Sequence, residues 1–186
     1  MRRFILTGTP GSGKTTIIRQ LALAGFSVVE EAATDIHASA LARGDAEPWR
    51  RPAFIDEIAE LQRQRQLQMS RDTDDVQFHD RSVICTVALA RYLGYPLSAA
   101  VSRELKRVET EAIFQQQVFF IGNLGFITPT AARRISFEEA LRFEQMHERT
   151  YRDFGYELVP IEPANVSDRV AAINRVVRAS AAVDRA

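Results

Sequence analysis

The strongest signal in this sequence is an eight-residue segment close to its first residue. Residues 8–15 read GTPGSGKT, which fits the pattern G-x-x-x-x-G-K-T of a phosphate-binding loop. A short apolar run, Phe4–Leu6, precedes the segment, and a helical pattern with Ile17, Ile18 and Leu21 follows it. This strand–loop–helix setting is the context in which the motif binds phosphate. The segment therefore predicts a site for a nucleoside triphosphate.

Each residue type in the loop has a chemical task. The glycines let the backbone wrap closely around a polyphosphate, with its N–H groups pointing inward. Lys14 would reach the β- and γ-phosphates, and the hydroxyl of Thr15 would bind Mg²⁺. We therefore expect ATP, or alternatively GTP, together with Mg²⁺ as cofactors. The predicted nucleotide-binding residues of the loop are Gly8, Thr9, Pro10, Gly11, Ser12, Gly13, Lys14, Thr15 and Thr16.

Length and composition favour one compact domain. The chain has 186 residues, of which 46% are hydrophobic, so it is long enough to bury a core. We expect a single domain over residues 1–180, with a lid segment near residues 123–136. Residues 181–186 are expected to form a frayed tail.

Charge and cysteine usage disfavour several function classes. Lys+Arg and Asp+Glu both number 24, so no overall field would draw the protein to nucleic acid or to an anionic membrane. No apolar run approaches the ~18 residues of a spanning helix. The single cysteine, Cys85, excludes an internal disulfide, and its apolar flanks predict a buried side chain rather than a reactive thiol. We expect a cytoplasmic protein without a membrane span or a nucleic-acid partner, and the oligomeric state stays open.

Short apolar runs alternate with longer amphipathic stretches along the chain. The predicted strands are Phe4–Thr7, Ser27–Glu30, Val76–Asp80, Val118–Ile121 and Glu157–Ile161. The predicted helices are 14–24, 31–43, 52–71, 82–93, 98–115, 136–154 and 167–179. This alternation indicates βαβ units and a parallel sheet that is covered on both faces. Pro160 cannot donate to a strand ladder, so the last strand is expected at an edge of the sheet.

Asp80 and Arg81 follow the third predicted strand directly. Ligands of open α/β sheets bind outside the carboxyl ends of the strands, so both side chains should face the nucleotide cleft. Asp80 would hold the Mg²⁺ shell or orient a substrate hydroxyl, and Arg81 would grip phosphoryl oxygens. The alternative is a helix cap followed by a surface arginine. His79 is expected on the opposite face of the strand, as a hydrogen-bonded structural histidine.

Glu30 and Glu31 end the second predicted strand and open the next predicted helix. One explanation is the favourable interaction of acidic side chains with a helix N-terminus. The other is that one of the pair, with Glu31 favoured, reaches the cleft as a general base for a substrate hydroxyl.

The segment after the fourth predicted strand has the character of a lid. Residues 123–134 read NLGFITPTAARR, with two glycine or proline turns and two final arginines. A mobile lid of this kind would close over the phosphates and bring Arg133 and Arg134 to the transferring group. The alternative is a pair of solvated arginines that precede a capped helix.

Taken together, these motifs resemble the NadR-type AAA domain family, small predicted ATPases that include the ribosylnicotinamide kinase domain of NadR. The resemblance lies in the order GTPGSGKTT, VVEEAA, HDRSVICTVALARYLG, VFFIGNLGF and ARRISFEEALRFEQMHERTYRDFGYELVPI, and it covers Arg3 to about Val177. It implies an α/β fold: a P-loop NTPase three-layer α/β/α sandwich with a five-stranded parallel sheet in the kinase-like order 2-3-1-4-5.

The resemblance also implies roles for particular residues. Similar kinases place a carboxylate after strand two, an acidic–arginine pair after strand three, and arginines in a lid. The matching residues here are Glu31, Asp80, Arg81, Arg133 and Arg134. By the same analogy, the loop at residues 163–166, including Asn165, should lie against the nucleotide base.

The leading hypothesis is an ATP- and Mg²⁺-dependent phosphotransferase that acts on a hydroxyl of a small, nucleoside-like metabolite. The alternative is a nucleotide-binding ATPase or GTPase switch with little or no transferase activity. No N-K-x-D or T-K-x-D motif for reading guanine occurs in the sequence, which disfavours a GTPase. The acceptor is not specified by the residues, although Trp49 and Arg50–Arg51 would either contact it or belong to a solvated basic turn.

Overall fold

The computed structural model describes residues 1–68, 75–125 and 136–183. In this part of the chain five parallel strands form one sheet in the order β2-β3-β1-β4-β5. The strands are β1 (Arg2–Thr7), β2 (Ser27–Val29), β3 (Val76–Asp80), β4 (Gln117–Ile121) and β5 (Glu157–Ile161). The predicted fold class and strand order are confirmed, and Pro160 lies in an edge strand as its missing N–H requires.

Helices cover both faces of the sheet. They are α1 (Lys14–Leu23), α2 (Ala33–Ala42), α3 (Ala53–Gln68), α4 (Val83–Leu93), α5 (Ala99–Thr110), α6 (Phe137–Asp153) and α7 (Val166–Val183), with a short 3-10 helix at Pro48–Arg50. None of the helices in the described part of the chain combines the length and the apolar character that a membrane crossing requires.

The two faces of the sheet bury two separate cores, because successive side chains of a strand point to opposite sides. Phe4, Leu6 and Phe119 pack with α1 and α7 on one face. Ile5 and Val118 pack with α3, α4, α5 and Tyr151 of α6 on the other. The apolar part of the middle strand β1, Phe4–Leu6, is therefore buried on both sides, as expected for a strand covered on both faces.

The strand register brings the carboxyl ends of β1, β3 and β4 together along one side of the sheet, which we call its carboxyl edge. Leu6 of β1 pairs with Asp80 of β3, and Thr7 pairs with Phe120 of β4. The phosphate-loop segment leaves β1 at this edge, directly beside Asp80. The fold thus assembles at one place the residues that the sequence predicted to share a cleft.

Within the described residues, three predicted helix boundaries differ from the structure by two residues or more. Helix α2 begins at Ala33 rather than Glu31, because Arg65 of α3 binds the backbone carbonyls of Glu30 (3.0 Å) and Glu31 (2.5 Å) and holds them in a loop. Helix α5 ends at Thr110 rather than at residue 115, since Ala112 takes a positive φ of 45° and turns the chain toward β4. Helix α7 continues to Val183, four residues beyond the predicted end.

Candidate functional site

The phosphate-binding segment joins β1 to α1 in the predicted arrangement. Gly8 has a φ of 128°, and a Cβ at this position would lie 2.4 Å from the carbonyl oxygen of Ile121, so only glycine fits. At the other end of the segment Gly13 has a φ of 87° and gives α1 no side-chain cap. The N-terminus of α1 therefore offers its backbone N–H groups and its positive dipole end to an anion.

Lys14 lies inside the loop rather than on the surface. Its Nζ donates to the carbonyl oxygens of Gly8 (2.9 Å) and Thr9 (2.7 Å) and to the hydroxyl of Ser12 (3.2 Å). Burial, followed by the positive charge of Arg81, lowers the pKa of Lys14 to about 7. A polyphosphate in the loop would oppose both effects and favour the charged ammonium.

Two residues from helices α6 and α7, neither of them predicted from the sequence, hold the loop by hydrogen bonds. Arg169 of α7 is almost fully buried and donates to the carbonyl oxygens of Ser12 (2.7 Å) and Gly122 (2.7 Å). Glu144 of α6 accepts a hydrogen bond from the hydroxyl of Thr9 (3.1 Å). A signal for Arg169 was present in the sequence, because a charged residue interrupts the apolar stripe of α7 at helical spacing.

Asp80 ends β3 and is nearly inaccessible to solvent, at 5% exposure. Its Oδ1 has no hydrogen-bond partner among the described residues. Burial raises the pKa of Asp80 to about 6; nearby Lys14 opposes this shift and Glu31 adds to it. A buried carboxyl oxygen without a partner is costly in a folded protein, so it marks a place where a cation or a donor would be stabilising.

Arg81 and Glu31 form an ion pair in the cleft. Nε of Arg81 donates to Oε1 of Glu31 at 2.6 Å, and the hydroxyl of Thr34 donates to Oε2 at 2.8 Å. Burial acts to raise the pKa of Glu31, but Arg81 and Lys14 outweigh it and hold that pKa below its usual value. Arg81 itself has a φ of 73°, a left-handed conformation that is uncommon for a residue with a side chain.

The structure separates the two glutamates that the sequence left as alternatives. Glu31 lines the main cavity, whereas Glu30 is exposed and lies beside a different, smaller cavity. Since α2 begins at Ala33, neither glutamate belongs to its first turn, so the helix dipole does not account for them.

A single cavity of about 530 Å³ extends from the phosphate loop to an apolar chamber. Lys14, Thr15, Thr16, Glu31 and Arg81 line its first end, which we call the phosphate end. The second end, which we call the acceptor end, has an apolar wall formed by Trp49, Phe54, Ile58, Leu89 and Phe143. The polar groups of the acceptor end are Thr34, His37, Gln62 and Thr86. Aromatic walls with a few placed polar groups are typical of sites for small organic ligands.

Trp49 belongs to this cavity, whereas the arginines after it do not. The Trp49 ring stacks on His37 with ring centres 5.6 Å apart and planes 8° from parallel. Arg51 is held by Asp45 and Glu57, and Arg50 is an exposed partner of Glu47. Of the two alternatives for this turn, the cavity supports the ligand-facing one for Trp49 and the solvated one for Arg50.

Asn165 and His79 lie apart from the cavity lining. Asn165 is exposed and caps α7, with its Oδ1 accepting from the backbone N–H of Asp168 at 2.9 Å. Arg133 and Arg134 lie outside the described residues, as does most of the predicted lid.

Cys85 is buried as expected, but its sulfur lies 3.0 Å from the Tyr151 hydroxyl and it also lines the cavity. His79 is buried and bonded to Gln77 at 2.9 Å.

His147 of α6 is a further cavity residue that the sequence analysis did not identify. Its Nε2 lies 3.2 Å from Nη1 of Arg81, 66 positions away in the chain. The available signal was its position four residues after Phe143, on the buried stripe of an amphipathic helix. That signal indicates burial and does not reveal a polar partner.

Comparison with solved structures finds similar folds among nucleotide-binding proteins. The NadR protein in complex with NAD and AMP-PNP has a TM-score of 0.59 and 17% identity, over 94% of this chain and 49% of that one. Deoxyadenosine kinase from M. mycoides, with the products dCMP and a flexible dCDP bound, has a TM-score of 0.64 and 10% identity, over 95% and 99% of the two chains. At these identities the likeness concerns the fold, and this chain spans about half the length of the NadR protein.

Comparison with curated proteins finds no match. The AAA domain family, in contrast, matches residues 3–169, which include the phosphate loop, Glu31, Asp80, Arg81 and His147. The resemblance that the sequence motifs carried is thereby confirmed, with the kinase-like strand order of the sheet. The chain belongs to the AAA domain family.

Proposed function

We propose that this protein is an ATP- and Mg²⁺-dependent phosphotransferase, which moves the γ-phosphoryl group of ATP to a hydroxyl of a small, nucleoside-like acceptor. The observation that carries the proposal is the shape and chemistry of one cavity. The phosphate loop and the Glu31–Arg81 pair lie at one end, and an aromatic chamber lies at the other. A nucleotide switch requires the phosphate end alone, whereas a transferase requires room for a second substrate beside it.

The charged residues suit the demands of phosphoryl transfer, which depends on positioning and on neutralisation of charge. Lys14 and Arg81 would stabilise the negative charge on the γ-phosphoryl oxygens as its bond to ADP breaks. Glu31 would accept the hydrogen bond, and then the proton, of the acceptor hydroxyl as the new O–P bond forms. The low pKa of Glu31 keeps this carboxylate ionised at neutral pH. Arg133 and Arg134 remain predicted contributors of positive charge.

Mg²⁺ fits the residues at the phosphate end. Thr15 lines the main cavity, and Oδ1 of Asp80 is buried without a partner among the described residues; Asp80 lines the smaller cavity, and Arg81 lines both. The described residues contain no cluster of three or more His, Cys, Asp or Glu ligands. Mg²⁺ does not need one, because it keeps several waters and shares phosphate oxygens with few protein ligands. Thr15 and Asp80 would hold the ion, which supplies charge neutralisation at the phosphates.

The acceptor end favours a flat, largely uncharged ligand. Its apolar wall includes three aromatic rings (Trp49, Phe54 and Phe143), and the Gln62 amide oxygen accepts from Thr86 at 2.8 Å, which orients the amide. A nucleobase has both a face for stacking and an edge for hydrogen bonds. The two kinase-like structures named above, one of them a deoxyadenosine kinase, give further support for a nucleoside-like acceptor.

The test is Mg²⁺–ATP turnover, measured as ADP formed, against nucleosides, deoxynucleosides, nicotinamide riboside and small polyols. The Lys14→Ala variant is measured beside the wild type. Lys106, the only other lysine, is exposed on α5, so Lys106→Ala is the matched control. We expect one acceptor class to stimulate turnover in the wild type and in the Lys106 variant, but not in the Lys14 variant. Tight ATP binding with no stimulated turnover for any acceptor would contradict the proposal and identify the nucleotide switch instead.

A further inference from the structure

His147 lies on the buried face of α6 and is completely inaccessible to solvent. Both of its ring nitrogens have partners: Nδ1 lies 2.9 Å from the carbonyl oxygen of Phe143, and Nε2 lies 3.2 Å from Nη1 of Arg81. The ring also packs edge-on against Phe143, with ring centres 4.2 Å apart. The imidazole is therefore fixed in position and in rotation.

These two contacts permit only one protonation state. A backbone carbonyl can only accept a hydrogen bond, and a guanidinium can only donate one. Nδ1 must therefore carry the proton and donate it to Phe143, and Nε2 must be a bare acceptor for Arg81. A proton on Nε2 would face the guanidinium and remove the contact. Burial and the charge of Arg81 agree with this state, because both hold the pKa of His147 well below its usual value.

Arg81 is consequently held on two sides. Glu31 takes the hydrogen bond of Nε, and His147 takes one of Nη1. The backbone of Arg81 is in the left-handed region, with its N–H bonded to the Leu6 carbonyl at 3.0 Å, so the side chain leaves the sheet edge at a fixed angle. Strained backbone of this kind persists where the surrounding structure determines it strongly.

We infer that His147 is a positioning residue, which holds the guanidinium plane of Arg81 in the orientation that meets the transferring phosphoryl group. The positioning of Arg81 stands on the contacts described above; its consequence for phosphoryl transfer rests on the proposed function. Arginine recognises phosphoryl oxygens through its planar set of donors, so a rotated guanidinium would lose part of that recognition. Because Nε2 of His147 is a neutral acceptor, it fixes the guanidinium plane and leaves the charge of Arg81 unchanged. A second carboxylate at this place, in addition to Glu31, would neutralise more of that charge.

Kinetics of two variants test the consequence. Phenylalanine at position 147 fills similar space but cannot accept a hydrogen bond, whereas the Oε1 of glutamine can take the place of Nε2. We expect His147→Phe to lower kcat roughly 10- to 100-fold, the range for losing one hydrogen bond to a charged group, with the KM for ATP little changed. We expect His147→Gln to stay within about 3-fold of the wild type if the acceptor atom is what matters. Equal kcat in His147→Phe and wild type, or equal losses in both variants, would overturn the inference.

His79→Gln is the matched control, because His79 is also buried and hydrogen-bonded but lies outside the main cavity. We expect this variant to lose thermal stability without a selective fall in kcat. A fall in kcat as large as that of His147→Phe would show that any buried histidine has this effect.

Nuclear magnetic resonance tests the positioning itself and needs no enzymatic activity. The chain has three histidines, so the His147→Gln spectrum assigns the His147 ring. We expect the neutral Nδ1–H form at pH 7, and slow hydrogen exchange at the Arg81 guanidinium that is lost in His147→Phe and kept in His147→Gln. An Nε2–H form, or exchange at Arg81 that is the same in all three proteins, would overturn the inference. If the wild type transfers no phosphate to any acceptor, the proposed function fails while this measurement still decides the role of His147.

Discussion

The two ends of the cavity are built in different ways. The phosphate end is dominated by one segment of chain within residues 10–16, together with Glu31, two residues after β2, and Arg81, directly after β3. The acceptor end takes single side chains from α2, the 3-10 helix, α3, α4 and α6. Lys14, Glu31 and Arg81 supply the lysine, arginine and carboxylate groups of the described cavity wall, and all three belong to the phosphate end.

This difference separates catalytic power from selectivity. The phosphate end contacts groups that every nucleoside triphosphate has, through backbone N–H groups and fixed charges. The acceptor end has aromatic faces and neutral hydrogen-bonding groups, whose shape discriminates between small molecules. Changes at the phosphate end should therefore reduce kcat for any acceptor, and changes at the acceptor end should alter the KM of the acceptor alone.

Lys14→Ala should have the largest effect. Nζ is the buried cation of the loop, and its loss removes charge stabilisation at the transferring group, so we expect kcat to fall on the order of 10³-fold or more. The measurement is acceptor-stimulated ADP formation, with circular dichroism to verify the fold. Lys106→Ala should retain full activity. If Lys14→Ala is as active as Lys106→Ala, the phosphate end does not take part in phosphoryl transfer.

Glu31→Gln should have the next largest effect. The amide cannot take the acceptor proton and pairs less strongly with Arg81, so we expect kcat to fall about 100-fold, the lower part of the range for a general base. Glu30→Gln is the matched control, since Glu30 is exposed and is not among the residues that line the main cavity. Single-turnover rates should separate the two variants. A slower Glu30→Gln enzyme would identify Glu30, and not Glu31, as the general base.

The contrast between the two ends also explains how much the sequence could predict. Much of the loop geometry follows from local chemistry, because Lys14 binds Gly8, Thr9 and Ser12, which are only two to six residues away. The choice between Glu30 and Glu31 needed Arg65, 34 positions further on, which holds the loop before α2. His147 contacts Arg81, which lies 66 positions earlier in the chain, and Arg169 contacts Ser12, which lies 157 positions earlier. No local pattern encodes such contacts, and the helical periodicity around these residues indicates burial alone.

Trp49→Ala should affect the acceptor end selectively. The ring forms part of the apolar wall, and stacking on a base is worth ~1–3 kcal/mol, so we expect the KM of the acceptor to rise about 10-fold. The KM for ATP should stay unchanged, and Trp49→Phe should recover most of the loss. Arg50→Ala, at the exposed neighbouring position, is the control. Parallel increases in both KM values would mean that the two ends do not act separately.

Asp80→Asn should cause the smallest change of this series, a change in the stability of the folded protein that depends on pH. Because burial raises the pKa of Asp80 to about 6, the folded chain keeps a proton that the unfolded chain releases near pH 4. The carboxyl therefore contributes stability below about pH 4, and that contribution is lost as the pH rises through about 6. Asparagine avoids this loss, so at pH 8 without nucleotide the variant should be more stable than the wild type by on the order of 1 kcal/mol, or about 2–4 °C in Tm. At pH 4, where little of this contribution has been lost, the difference should be small.

Thermal melts of both proteins at the two pH values measure this difference, with Asp75→Asn, at the exposed position directly before β3, as the control. Turnover of Asp80→Asn should fall at the same time, because a neutral amide binds Mg²⁺ more weakly than a carboxylate. Higher stability with lower activity is the expected result if the Asp80 carboxylate serves to bind Mg²⁺ and does not stabilise the fold. A variant that is less stable than the wild type at pH 8 would instead make Asp80 a structural partner of Lys14, and the phosphate end would then be held together by its own ion pairs.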